Sequence, residues 1–172
     1  QDVIVFGEDW GKLPSSTQHL IKHIAKDRRV VWVNSIGLRK PRVTWHDLTR
    51  LIHKIIAKCR AKSTQQDTVI PDNMTIINPL TIPVPKWSLT RKICQIILKK
   101  QIVPIVERLQ LNSPILWLSL PTAVDMIGHL NEEKVVYYCG DDFSGLSGVE
   151  HDTVSQREEE LLHKAHVIFV SS

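Results

Sequence analysis

The stretch DVIVFGEDWGKLPSSTQHLIKHIAKDRRVVWVN, from Asp2 to Asn34, decides the fold. Val3 to Phe6 and Val30 to Asn34 are short, almost continuously apolar and rich in β-branched residues, the pattern of strands buried on both faces. Between them, Ser15 to Lys26 places apolar residues at helical spacing, and Ser15 or Ser16 can cap that helix just after Pro14. A strand, a helix and a second buried strand in this order form a right-handed crossover, so the two strands run parallel in one sheet.

The same alternation continues outward. Strand-like runs recur at Met74 to Asn78, Ile115 to Ser119, Val135 to Cys139 and Val167 to Ser171. Helical patterns fill Thr44 to Ala61, Leu89 to Leu111, Thr122 to Leu130 and Asp152 to Ala165. Thr44 and Asp152 are the expected caps of the second and fifth helices, Pro121 precedes the fourth, and Pro104 is expected to kink or split the third. Three prolines in NPLTIPVPKW, Asn78 to Trp87, predict an extended loop. Together these signals predict an α/β fold: one Rossmann-like domain over residues 1–172, with a doubly wound parallel sheet of about six strands in the order 3-2-1-4-5-6.

Composition narrows the class. The chain is 42% hydrophobic and 23% charged, as in ordinary globular domains, and no apolar run is long enough to span a bilayer. No signal peptide precedes the first strand, which fits a cytoplasmic location. Cys59, Cys94 and Cys139 are an odd number with wide spacing and no CxxC pair, so buried free thiols are expected rather than disulfides or zinc. His19 and His23 lie four apart on a helix but have no further ligand at suitable spacing, so no metal is expected.

Charge is unevenly distributed. Up to Asn112 there are 19 Lys and Arg against 8 Asp and Glu, and from Ser113 onward 3 against 10. The basic part includes LRKPR, Leu38 to Arg42, and the helix bearing Lys54, Lys58, Arg60 and Lys62. Such a field suits an anionic membrane surface or a phosphorylated acceptor. Nucleic acid is not expected as a partner, because aromatic residues do not interleave with the basic stretch.

An open parallel sheet holds ligands outside the carboxyl ends of its strands, so the residues just after strands are the candidates. After the first strand, Gly7 and Gly11 permit close backbone approach, and the following helix points free N–H groups at the cleft. The spacing is not GxGxxG, and Glu8 and Asp9 would repel a pyrophosphate. These acids suit sugar hydroxyls or an acceptor nucleophile better. Trp10 fits either stacking on a sugar ring or wedging against the sheet edge. After the fourth strand, Thr122 could donate a hydrogen bond into the cleft. After the fifth, the adjacent carboxylates Asp141 and Asp142 could bind hydroxyls, orient an acceptor or supply a base, with Phe143 as an apolar wall. Gly140, Gly145 and Gly148 make that loop pliable. The glutamates of REEE, Arg157 to Glu160, are expected near a helix N-terminus, favouring its dipole. No GxSxG elbow or Walker motif occurs.

At these residues the chain resembles the group-one glycosyltransferases of the GT-B fold, in particular bacterial transferases of teichuronic-acid and exopolysaccharide assembly. The resemblance covers essentially the whole chain. It is carried by DWGKLPSSTQHL and RVVWVNSIGLRKPR, by INPLTIPVP, by PILWLSLPTAVDMIG, and by VVYYCGDDFSGLSGVE followed by EEELLHKAHVIFVSS. His166 departs from it, standing where that family often has Asp. The resemblance implies a membrane-peripheral enzyme whose two Rossmann-like domains face a cleft. The N-terminal one, matched here, receives a saccharide or lipid-linked acceptor. The nucleotide-sugar donor binds a C-terminal domain outside these residues. It implies cleft positions for Asp9, Trp10, Asp141 and Asp142, no cofactor in this domain, and an inactive fragment when the domain stands alone. A base role for Asp142 is the sharpest catalytic expectation. Another enzyme of the same architecture, such as a nucleotide-sugar epimerase, or a membrane-surface or partner-binding module, is the alternative.

Overall fold

The computed structural model describes residues 1–36, 70–81, 88–140 and 151–171. The helix expected at Thr44 to Ala61 and the basic run at Leu38 to Arg42 lie outside the described residues, as does Cys59. Described in chain order are β1 (Val3–Phe6), α1 (Ser16–Ile24), β2 (Val30–Val33), β3 (Met74–Ile77), α2 (Ser88–Arg108), β4 (Ile115–Leu118), a 3₁₀ helix (Pro121–Met126), β5 (Lys134–Cys139), α3 (His151–Lys164) and β6 (Val167–Val170).

All six strands pair in parallel, in the order β3-β2-β1-β4-β5-β6. This is the doubly wound Rossmann-like order that the alternation of strand and helix predicts. The register places Val3 beside both Val30 and Ile115, so the central strands start level and end level at one carboxyl edge. Strand side chains alternate between two faces. One face sends Ile4, Phe6, Val31, Val33, Leu116, Leu118 and Tyr137 against Leu98, Ile102 and Val106 of α2, Val124 and Met126 of the 3₁₀ helix and Leu161 of α3. The other sends Val3, Val5, Val30, Trp32, Trp117 and Tyr138 toward Ile21 of α1, Ala25 at its end and Trp10. β1 and β2 are buried throughout, which explains why their sequence is apolar at consecutive positions rather than alternating. β6, at the sheet edge, is exposed along its length.

Local signals fared differently. Ser15 is the N-cap of α1: its Oγ accepts from the Gln18 N–H at 3.1 Å. α2 runs unbroken through Pro104, so the expected split does not occur. The ring sits on the exposed side, while the neighbouring Ile102 and Val106 are buried, and that burial offsets one missing backbone hydrogen bond. The segment after β4 forms a 3₁₀ helix rather than an α-helix. Its bonds close after three residues, from Ala123 N to Leu120 O at 3.0 Å, and the extended backbone of Ile127 ends it. α3 begins at His151, so Asp152 lies in its first turn and not at the cap, where its charge still favours the helix dipole. The glutamates at 158–160 fall in the middle of α3 and not at its N-terminus. Two of them are committed to the side-chain network described below.

His166 closes onto β5. Its Nδ1 accepts from the Val135 N–H at 3.1 Å, and its own N–H donates to Val135 O at 2.8 Å. An acceptor is what this position requires, and imidazole nitrogen supplies it as a carboxylate would. Cys94 is buried and Cys139 partly buried, both as free thiols. Among the described residues, no helix is long and apolar enough to cross a membrane.

Candidate functional site

The strand order reverses between β1 and β4, so the crevice at their carboxyl ends is where a doubly wound sheet receives a ligand. β1 runs into Gly7, and β4 into Ser119, whose N–H donates to Phe6 O at 2.9 Å. The N-terminus of α1 stands over this crevice. Thr17 and Ser119 are both buried, with their hydroxyls 3.4 Å apart. Trp117 Nε1 donates to Ser119 Oγ at 3.2 Å, and the Tyr138 hydroxyl donates to Ser16 Oγ at 2.8 Å. Beneath the N-terminus of α1 the hydroxyls thus bond to one another and to Trp117 over an aromatic base, where Trp117 stacks on Tyr138 with ring centroids 5.7 Å apart.

The loop after β1 holds itself together with the acids that the sequence offered for a ligand. Glu8 accepts from the Ser15 hydroxyl and from Gln18 Nε2. Gln18, itself buried, also donates to Leu13 O and accepts from the Gly11 N–H at 3.2 Å. Gly11 turns the chain there with φ at 77°, a left-handed conformation that favours glycine. Asp9 accepts from both the N–H and the hydroxyl of Ser35 and pairs with Lys12. Burial works to raise the Asp9 carboxyl, but the hydrogen bonds from Lys12 and Ser35 outweigh it and hold the group below its ordinary range. Asp9 thus ties the loop after β1 to the loop after β2.

Gly7 and Trp10 change meaning in three dimensions. A Cβ on Gly7 would stand 2.5 Å from Cζ2 of Trp32, so the close approach at this glycine is made by an indole of the same chain. Trp10 is 9% exposed and packs edge-to-face on Trp32, with centroids 4.8 Å apart and Lys22 Nζ over its ring at 5.6 Å. Of the two readings for Trp10, packing at the sheet is the one its surroundings match. Thr122 does donate a hydrogen bond, to Ile36 O at 2.7 Å, and so ties the 3₁₀ helix to the chain leaving β2. Asp141, Asp142 and Phe143 lie outside the described residues. Gly140, immediately before Asp141, stands beside Tyr138, and a Cβ there would lie 3.9 Å from Ser16 Oγ.

Ser16, Thr17, Ser119 and Tyr138 were not picked out as cleft residues by sequence reasoning, although three of them had a signal. Ser119 is the first residue beyond β4, and Ser16 and Thr17 open α1, both places where the strand-end rule directs attention. Tyr138 carried no signal beyond its aromatic character within a strand.

A second polar constellation lies on the opposite face. Arg91 of α2 binds Asp125 Oδ1 through Nε at 2.6 Å and holds both oxygens of Glu160 at 2.8 and 2.5 Å. Arg157, 4% exposed, lies 3.8 Å from the other oxygen of Asp125. Its hydrogen bonds to Glu160 and Asp125 push Arg91 well above its ordinary range. Burial pulls Arg157 below its own, with Asp125 opposing. Burial, and then a hydrogen bond to Glu158, raise the Tyr137 phenol. These charges answer one another across α2, the 3₁₀ helix and α3, as structural ion pairs do.

A cleft of about 770 Å³ lined by Val103, Glu107, Leu111, His129 and Asn131 opens at the other end of the sheet, before β4 and β5. It lies away from the strand carboxyl ends. Among the described residues, no group of three or more His, Cys, Asp and Glu side chains converges as metal ligands would. No protein-family model matches the chain, and no curated protein matches it in sequence.

Proposed function

We propose that this chain is the acceptor-side Rossmann-like half of a GT-B sugar transferase, which moves a sugar from a nucleotide-sugar donor to a saccharide or lipid-linked acceptor. The observation that supports this most directly is the crevice between β1 and β4. Its Ser16, Thr17, Ser119 and Tyr138 hydroxyls are neutral groups that both donate and accept, the chemistry that recognises a polyhydroxylated ligand. A dinucleotide would instead call for a glycine-rich loop with free N–H groups and no acids. Here Glu8 and Asp9 occupy that loop, and the Gly11 N–H is already engaged by Gln18.

In this reading the hydroxyl row positions the acceptor, and Asp142, two residues beyond Gly140, removes the proton from its attacking hydroxyl. Donor binding and stabilisation of the leaving diphosphate belong to a second domain, so catalysis rests on bringing the two sides together.

The test is a titration of the 172-residue chain with a panel of oligosaccharides and with NADH, read by tryptophan fluorescence. Saccharide binding that falls about tenfold in Ser119→Ala, with no response to NADH, is the expected result. NADH binding without saccharide binding overturns the reading in favour of an epimerase or oxidoreductase. In the full-length gene product, unchanged turnover in Asp142→Asn removes the base role.

A further inference from the structure

We propose that the cleft at the amino edge of the sheet, beside the end of α2, is a second binding site, for a short neutral oligosaccharide. Its volume of about 770 Å³ falls within the roughly 300–1,000 Å³ of small-molecule sites. Buried Val106, Leu111 and Leu130 give it an aliphatic floor, and exposed Glu107, Gln110, Asn112 and Asn131 give it a polar rim. The three rim amides have no side-chain partner within the chain. Every other described Asn or Gln except Gln156 is hydrogen-bonded through its side chain. Among the described residues, uncommitted amides therefore gather at this cleft. The backbone points the same way. Gln110 closes α2, its N–H donating to Glu107 O at 2.9 Å and that of Leu111 to Val106 O at 3.1 Å. Such a position ordinarily holds glycine, because its φ, here 50°, is left-handed. Asn131 has a φ of 54°, and Ser113, next to Asn112, one of 46°. Every described non-glycine residue in that conformation thus lines or adjoins the cleft, and strained backbone of this kind collects at ligand sites. Where glycine is the easier residue, Gln110 sets an amide on the rim.

The lining selects the chemistry of the ligand. Among the described residues no Lys or Arg lines the cleft, and Glu107 stands on its rim. A phosphate or carboxylate would meet repulsion there without a countercharge. An aliphatic ammonium would pair with Glu107 and the amide oxygens, but it would leave the N–H groups of all three amides unmatched. A hydroxyl both donates and accepts. Neighbouring hydroxyls of a sugar ring can therefore answer both ends of each amide and also donate to Glu107. The C–H faces of the same rings suit the aliphatic floor. His129 completes the wall as a fixed ring, its nitrogens 2.9 Å from Gln95 Nε2 and 3.3 Å from Lys99 Nζ. This site goes beyond the transferase reading, since it lies at the opposite end of the strands from the crevice and shares no residue with it.

The test is NMR of the ¹⁵N-labelled 172-residue chain, titrated with maltotriose, cellotriose and chitotriose, and separately with putrescine and succinate. At least one trisaccharide is expected to shift the side-chain amide signals of Gln110, Asn112 and Asn131 saturably, while that of Gln156 stays still. Putrescine and succinate should leave all of them unmoved. Gln110→Gly with Asn131→Gly removes two amides at positions whose φ glycine accepts, so the double variant should fold as wild type does and bind at least about tenfold more weakly. Asn112→Ala, at an ordinary backbone position, should lose roughly fivefold and carries the test if the double variant unfolds. Ser119→Ala, in the crevice, should leave the cleft signals responding as before. The proposal is overturned if no trisaccharide gives a saturable shift, or if Asn112→Ala binds as wild type does. It is overturned too if putrescine alone shifts the amides, which means a cationic ligand, or if Ser119→Ala abolishes the response, which places the saccharide in the crevice.

Discussion

The two faces of the sheet use opposite chemistry. On the side of α2 and α3 the core is mainly aliphatic, and its margin is charged: Arg91, Asp125, Arg157 and Glu160 interlock across three helices. On the side of α1 the core is largely aromatic, with Trp10, Trp32, Trp117 and Tyr138, and its margin mixes serine, threonine and tyrosine hydroxyls with Glu8 and the Asp9–Lys12 pair. A network of opposite charges is satisfied by its own members and has little to offer a ligand. Neutral hydroxyls can exchange one partner for another at small cost, because each can both donate and accept. The difference separates a face whose helices are joined by charge from one whose residues meet through hydroxyls and aromatic rings.

The largest effect is expected on the aromatic face. Trp32 is fully buried and its Nε1 donates to Glu8 O at 3.0 Å and Asn34 Oδ1 at 2.9 Å. Trp32→Ala should cost about 3–5 kcal/mol in urea unfolding. Gly7→Ala should cost about 1–3 kcal/mol in the wild type, through the clash with Trp32, and close to nothing in the Trp32→Ala background. Equal cost in both backgrounds would show that Gly7 serves something other than the indole.

Next comes the charged margin. Asp125→Ala leaves Arg91 and the buried Arg157 with less countercharge, and should cost about 3 kcal/mol. Adding Arg157→Met should recover part of that loss, since a buried guanidinium with reduced countercharge is then gone. If the double variant is as unstable as the sum of the two single variants, the two groups do not act as a pair.

The smallest effect concerns acid. Glu160 is held below its ordinary value of 4.5, first by the hydrogen bond from Arg91. A carboxylate lowered in the folded state contributes stability that is fully present above the unfolded value. That contribution is lost as pH falls from 4.5 through the depressed folded value. Because Glu160 is partly exposed, the contribution should stay below about 1 kcal/mol. Glu160→Gln should flatten the fall in unfolding midpoint over that acid range while leaving the slope near neutral pH unchanged. An unaltered acid limb would mean that the Arg91 pair carries no net stability.

Much of the fold was legible because its signals are local. Val3 to Phe6, Val30 to Val33 and Ile115 to Leu118 are apolar at consecutive positions, which only strands buried on both faces require, and Ser15 caps α1 through a bond to a residue three positions away. The errors came where a residue's partner is distant in sequence. Thr122 meets Ile36 of the chain leaving β2 across 86 positions, a contact no local pattern announces. Glu158 and Glu160 look like charges favouring a helix dipole until Tyr137 and Arg91 meet them. Pro104 looks like a break until the burial on either side of it is counted.

The opening unit, Asp2 to Asn34, shows where the division falls. By itself the sequence determined its strands, its helix and their parallel crossover, because periodicity and capping act within a few residues, while the strand order was one of the arrangements that this alternation allows. Only the tertiary structure decided that Gly7 makes room for Trp32, that Trp10 is packed, and that Asp9 and Glu8 bind their own loops. It likewise brought Ser119 and Tyr138 to the N-terminus of α1. Those assignments depend on contacts between residues up to about a hundred positions or more apart, and only the packing of the sheet fixes which of them meet.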